Sequence, residues 1–175
     1  GKNSTDAARH VKGPNGREGE TMIRTMAIVA TVFLLAQIHR SAGGIMALEL
    51  GAVRAIGPSD IGLIIGIMPL TSALVQIPVG ILLDRWGVRR SLSAMAVLAS
   101  LGTIWLAVAE GVFSLTAARA LIGAGFAAAM TSIYIVAIIN VSPQRMALVA
   151  GTTIALAGSV GAALGTTPLV VAFQS

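Results

Sequence analysis

From Met26 onward the chain is a succession of apolar stretches, each about twenty residues or longer, broken only by brief polar gaps. Crossing ~30 Å of hydrocarbon takes roughly 20 residues of helix, and a segment in lipid must satisfy its own backbone hydrogen bonds. The expected fold class is therefore all-α: a polytopic transmembrane helical bundle. A soluble helical bundle is the competing class, but these stretches lack the polar face that a water-facing helix presents. Charged residues make up 11% of the chain and its mean hydropathy is +0.87. Soluble domains carry about 25% charged residues, so this chain has too little charge to cover a water-facing surface.

Five spans are expected, at 26–50, 60–83, 91–109, 114–139 and 145–173, forming a bundle over 26–175. Breakers fill the gaps: Gly57 with Pro58, Gly87, Gly111 and Pro143. Residues 1–25 are polar and glycine-rich and read as a disordered cytoplasmic tail. They are not a secretory signal, because the apolar run that follows is too long and lacks a small-residue cleavage pattern. Without cysteine there is neither a disulfide framework nor a thiolate metal site. The chain opens without methionine and stops just after an apolar run, which reads as a fragment.

If the spans alternate, Lys2, Arg9, Lys12, Arg17, Arg24, Arg85, Arg89, Arg90 and Arg145 fall on one side. The other side holds Arg54, with Asp60 and Glu110. Cytoplasmic loops carry the excess of Lys and Arg, so the amino terminus is expected in the cytoplasm, in an inner or plasma membrane. The net charge of +5 sits in this tail and these gaps, which fits topology rather than a nucleic-acid-binding face.

One gap holds more than topology requires. Between the second and third spans the sequence reads GILLDRWGVRR, with Gly80, Leu82, Asp84, Arg85, Gly87, Arg89 and Arg90 in fixed order. A charge gap needs only basic residues, not an aspartate ahead of them or a glycine in the turn. This order resembles the signature loop of the major facilitator superfamily, in the expected place and on the expected side. The fourth span adds RALIGAGFA, with Arg119, Gly123 and Gly125, similar to the family's arginine-x-x-x-glycine-x-glycine pattern. The resemblance covers 26–173 and implies twelve helices in two halves, of which this chain supplies five, with the carboxy-terminal half as partner. It also implies that the loop residues latch the halves in the outward-facing state. Gly80 would admit a neighbouring helix, and Asp84 would accept hydrogen bonds at a helix N-terminus, where a carboxylate is favoured. Two departures stand out. Asn140 occupies a place often acidic in the family, and GSVGAALGTTP lacks the Gly-Pro pair common in drug exporters.

Small residues at Gly62, Gly66, Gly123, Gly125, Gly158, Gly161 and Gly165 suit close helix approach. Gly123, Gly125, Gly161 and Gly165 are the expected packing positions. Pro69, Pro78 and Pro168 are expected as tolerated kinks.

Polar residues inside the spans are the candidates for function, because a charge at the bilayer centre costs at least ~2.5–3.5 kcal/mol and usually faces a cavity. Arg40 follows His39 and Gln37, and Gly43 and Gly44 would open room around its guanidinium. A guanidinium fork suits carboxylate or phosphate, and this stretch resembles the first span of anion-carrying family members. Arg40 is therefore expected to bind an anionic substrate, against the alternative of a structural pairing within the bundle. Arg119 belongs to a pattern shared by relatives with different cargo, so coupling or helix contact is weighed above substrate recognition there. His39 and Glu49 are candidates for proton coupling, His39 because imidazole changes charge in the cellular pH range. Gln76 and Tyr134 are expected to line the cavity.

The resulting expectation is a secondary transporter working by alternating access. It would move a small organic anion with a proton or counter-anion, and it is no enzyme. Neither a cofactor nor a metal is implied, and no phosphate-binding loop of the G-x-x-x-x-G-K-[ST] type occurs. A truncated, non-transporting membrane protein that organises an assembly is one alternative, and a drug/proton antiporter is another.

Overall fold

The structure is a computed structural model that describes the backbone of residues 16–54 and 56–174, and side chains across 20–43 and 56–166. Five helices follow in order: α1 (Gly16–Arg54), α2 (Pro58–Leu74), α3 (Gln76–Ala107), α4 (Gly111–Asn140) and α5 (Pro143–Gln174). Four stretches are long and apolar enough to cross a membrane: Glu20–Gly43, Gln76–Ala107, Gly111–Asn140 and Pro143–Thr166. α2 is shorter, at 17 residues.

The break between α2 and α3 has a local cause. Pro78 has no amide hydrogen to give the carbonyl of Leu74, four residues back, where α2 ends. The path nevertheless stays helical, since Val75 N–H donates to Thr71 O at 3.0 Å and Val79 N–H to Val75 O at 2.9 Å. The true corner lies later, at Gly87, whose φ of 76° and ψ of 163° divide α3 into two arms. Only glycine takes that backbone shape readily. Ser91, fully buried, closes the corner by donating to Leu82 O at 2.9 Å.

Contacts along the helices fix their directions. Ser72 donates to Gly123 O at 2.7 Å and Gln76 to Thr131 Oγ1 at 3.0 Å, so α2 and the first arm run parallel to α4. The second arm runs against α4, because Gly102 faces Ile122 while Ala99 faces Gly125. α5 runs parallel to α1, with Gly161 opposite Leu34 and Gly165 opposite Ile38. Traverses thus alternate along α1, α2 with the first arm, the second arm, α4 and α5.

α4 is the hub and touches all four other helices. Ala118, Ile122, Ala128, Ile133 and Ala137 along it are at most 1% exposed. Outward-facing apolar side chains such as Ile77, Val97, Ile104, Phe113 and Leu156 are more than 60% exposed. In water such a surface would aggregate; in hydrocarbon it costs nothing.

Two expectations change in this frame. Residues 16–25, expected within the disordered tail, form the first turns of α1. Their backbone pairs internally, and Arg24 reaches back to Glu20 at 2.6 Å, an i,i+4 pair. Gly62 and Gly66 do not pack on the other described helices, since a Cβ at either would meet nothing within 4 Å.

Candidate functional site

The centre of the site is Arg119, on the hub helix and only 5% exposed. Its guanidinium lies against Gly43 so closely that a Cβ there would collide with it. Nη2 approaches Met68 Sδ at 3.9 Å, a weak acceptor, and Nε is buried with no hydrogen-bond partner. No ion pair reaches it among the described residues. A small cavity of about 40 Å³ adjoins it, lined also by His39, Ala42, Met68, Leu106 and Ile122. A buried cation without a counter-charge is costly, and this one faces a small cavity.

His39, one α1 turn before Gly43, forms the opposite wall. Its Nδ1 donates to Leu35 O at 3.0 Å, and its Nε2 lies 3.0 Å from Thr103 Oγ1 on the second arm of α3. Thr103 in turn donates to Ala99 O at 2.9 Å. The ring of Phe126, on α4, lies 5.2 Å from the imidazole, centroid to centroid, at a 50° tilt. A larger cavity of about 300 Å³, between α1 and α3, opens on the other side of His39 past Val32, Ser100 and Thr103. His39 therefore lines both spaces.

The remaining candidates do not converge here. Arg40 is exposed and makes no hydrogen bond or ion pair among the described residues. Successive helical residues point about 100° apart, so His39 faces the bundle while Arg40 faces away from it. The expectation that Gly43 makes room for Arg40 is corrected: the room is filled by Arg119. Gln37 packs toward α5, its Cβ 2.8 Å from where a Gly161 Cβ would sit. Gln76 is exposed and bonded to Thr131, and Tyr134 is 40% exposed on α4. The side chain of Glu49 lies outside the described residues.

The signature loop stands apart, at the α3 corner. Gly87 has the positive φ of the turn, whereas Asp84, Arg85, Arg89 and Arg90 are exposed and form no ion pair among the described residues. Among the described residues Asp84 caps no helix N-terminus and a Cβ at Gly80 would meet nothing within 4 Å, so neither expected contact is made within these five helices. Arg89 joins Arg24, Thr25 and Ser93 around a groove of about 570 Å³ between α1 and α3.

The packing glycines sit at tight crossings. A Cβ at Gly123 would strike the backbone of Met68, and one at Gly125 the backbone of Ala99. At Gly161 the nearest atom would be Leu34 O at 2.7 Å, and at Gly165 it would be Ile38 O at 2.8 Å. These contacts hold α2, α3 and α1 to their neighbours and so set the walls around Arg119.

Sequence reasoning missed Thr103, Phe126, Met68 and the seat formed by Gly43. The last had a signal: a glycine in the first span four residues after a histidine, with a buried arginine elsewhere needing space. The others had none, since a lone threonine, phenylalanine or methionine in an apolar helix is usually packing. Among the described residues no three His, Asp or Glu side chains gather as a metal site.

No curated protein and no solved structure gives a significant match to this chain. A profile of the Major Facilitator Superfamily aligns with residues 21–173, nearly the whole helical bundle and both motif-bearing segments. With that match and four helices fit to cross a bilayer, this chain is an integral, multi-pass membrane protein of the Major Facilitator Superfamily, whose members are secondary transporters of small molecules.

Proposed function

We propose that this chain belongs to a transporter of small organic anions. It would bind them through Arg119, and use a proton or a counter-anion as the coupled species. The observation that carries this reading is the unpartnered Nε of a nearly buried guanidinium beside a small cavity. A cation held in a low-dielectric interior attracts an anion strongly, and its planar fork matches a carboxylate. The sequence pointed to Arg40 for this role. The structure favours Arg119, because Arg40 is exposed and has nothing to compensate. Arg40 is then a second contact, on the outer face of α1, available to a substrate or to a further part of the transporter.

In this reading the 26–175 bundle is one of two halves that rock about a site between them. The basic end, with Arg24, Arg85, Arg89 and Arg90, faces the cytoplasm of an inner or plasma membrane.

The test is uptake of labelled organic anions by liposomes holding the full-length protein, with and without a pH gradient. Arg119→Gln should lower uptake by about thirtyfold or more, the scale for removing one partner of a buried charge pair. Arg119→Lys should recover little of it, because an ammonium lacks the fork. Unchanged uptake in Arg119→Gln would refute the assignment. So would cellular resistance to lipophilic cations without any anion uptake, which is the drug-exporter outcome.

A further inference from the structure

Resting on the anion reading of Arg119, the geometry points to His39 as the site that takes up the coupled proton, with the Thr103 hydroxyl as its positioning partner. The argument is hydrogen-bond accounting. Leu35 O can only accept, so His39 Nδ1 carries a hydrogen. Thr103 has one hydroxyl hydrogen, and the 2.9 Å bond to Ala99 O uses it. Thr103 Oγ1 is then an acceptor toward Nε2, 3.0 Å away. All three bonds are made together only by a ring protonated on both nitrogens.

A neutral ring must break this set. With Nδ1–H kept on Leu35, Nε2 becomes an acceptor, and the Thr103 hydroxyl must swing from Ala99 O to the ring. Gain or loss of one proton thus turns one hydroxyl on α3 and changes how α1 is tied to α3. Nothing else is consumed: the proton binds the Nε2 lone pair and leaves from it.

The surroundings decide when the charged form is held. α4 contributes Phe126, whose ring at 5.2 Å lies within the ~6 Å reach of cation–π attraction. α4 also contributes Arg119, across the 40 Å³ cavity, the charged group that faces His39 among the described residues. From α2 comes only Met68, from α3 the uncharged Ser100, Thr103 and Leu106. On α1 itself Arg40 is adjacent but turned outward. With the cavity empty, Arg119 repels a second cation. A carboxylate on Arg119 cancels that repulsion and adds an attraction, so anion and proton favour each other's binding by one common factor. This makes the transporter a symporter of anion and proton rather than an exchanger.

The test uses the full-length protein in lipid nanodiscs with nitrogen-labelled histidine, the His39 signals being assigned by difference from His39→Gln. Formate, the smallest carboxylate, is the probe. Expected is a ring that gains and loses one proton across a pH titration and carries its neutral-state proton on Nδ1. Formate should move that titration upward by about one pH unit, a tenfold reciprocal effect, and should do nothing in Arg119→Gln. Thr103→Val should move it downward by about one unit, since the charged Nε2–H loses its acceptor. A neutral ring protonated on Nε2, or a Thr103→Val protein that titrates like the wild type, overturns the proposal. Formate that binds, by its own carbon signal, yet leaves His39 unmoved overturns the coupling alone. Formate that does not bind at all overturns the anion reading, and the Thr103 comparison then still decides the proton site.

Discussion

Three glycines on one face of α5 meet α1 at different distances, which makes a built-in comparison. At Gly161 an added Cβ would stand 2.7 Å from Leu34 O and 2.8 Å from Gln37 Cβ. At Gly158, one turn earlier, its nearest atoms are Gln37 Nε2 and Phe33 Cε1, both at 3.8 Å. Ordinary contact begins at 3.4 Å, so Gly161→Ala forces α1 and α5 apart by about 0.6–0.7 Å, against a backbone carbonyl that cannot rotate away. Overpacking of this kind costs about 1–3 kcal/mol. Both substitutions also gain about 0.5–1 kcal/mol of helix preference over glycine, and that gain cancels in the comparison. The difference between the variants is therefore the overpacking cost alone, about 2 kcal/mol. At ~2–4 °C per kcal/mol for a chain of this size, their melting midpoints should differ by roughly 4–8 °C, with Gly161→Ala below the wild type and Gly158→Ala at or above it. Thermal unfolding of the purified protein in one detergent, followed by tryptophan fluorescence, measures this. Equal midpoints for the two variants would refute the claim that glycine at 161 is what lets these helices touch.

Two further outcomes follow from single glycines. Gly87→Ala places a side chain at φ 76° and ψ 163°, which costs about 1–3 kcal/mol; a melting midpoint equal to that of the wild type would mean the α3 corner is not held in that shape. Gly43→Ala sets a methyl group where the Arg119 guanidinium lies. Because that group is the far end of a flexible side chain, folding should be nearly unaffected while anion uptake falls as in Arg119→Gln, and normal uptake would show that the seat is not required.

The breaks at Gly87, Gly111 and Pro143 were legible because lipid leaves so few ways to stop a helix. Gly87 and Gly111 take positive φ, and Pro143 opens α5 where its missing amide hydrogen is harmless. Pro78 was legible as a kink, but its consequence, a break after Leu74, needed the geometry of the carbonyl four residues back. The direction in which each side chain points was not legible, and the reason is physical. In a soluble helix the boundary between polar and apolar residues reveals which face is buried. Here α2 and α4 are apolar all round, with Leu74 and Ile139 about 70% exposed and Ile64 and Ile133 at most 2% exposed, though all four are equally apolar. The sequence could therefore place Arg40, His39 and Arg119 at membrane depth, but it put Arg40 first because it could not show which of them is buried.

Ranking them takes the balance between burial and compensation. An arginine in a membrane span has three ways to lower its energy: reach the interface, pair with a carboxylate, or face a polar ligand. Arg40 is exposed on α1, and neighbouring protein or headgroups can satisfy it. Arg119 has only a methionine sulfur among its described neighbours, and the chain has given up a side chain at position 43 to hold it there. Packing alone does not explain that arrangement, since an alanine at 43 with a leucine at 119 would fill the same space without burying a charge. A residue kept at such a cost, next to a space large enough for a carboxylate end and across from the His39 imidazole, is better explained by what visits it than by the helices around it.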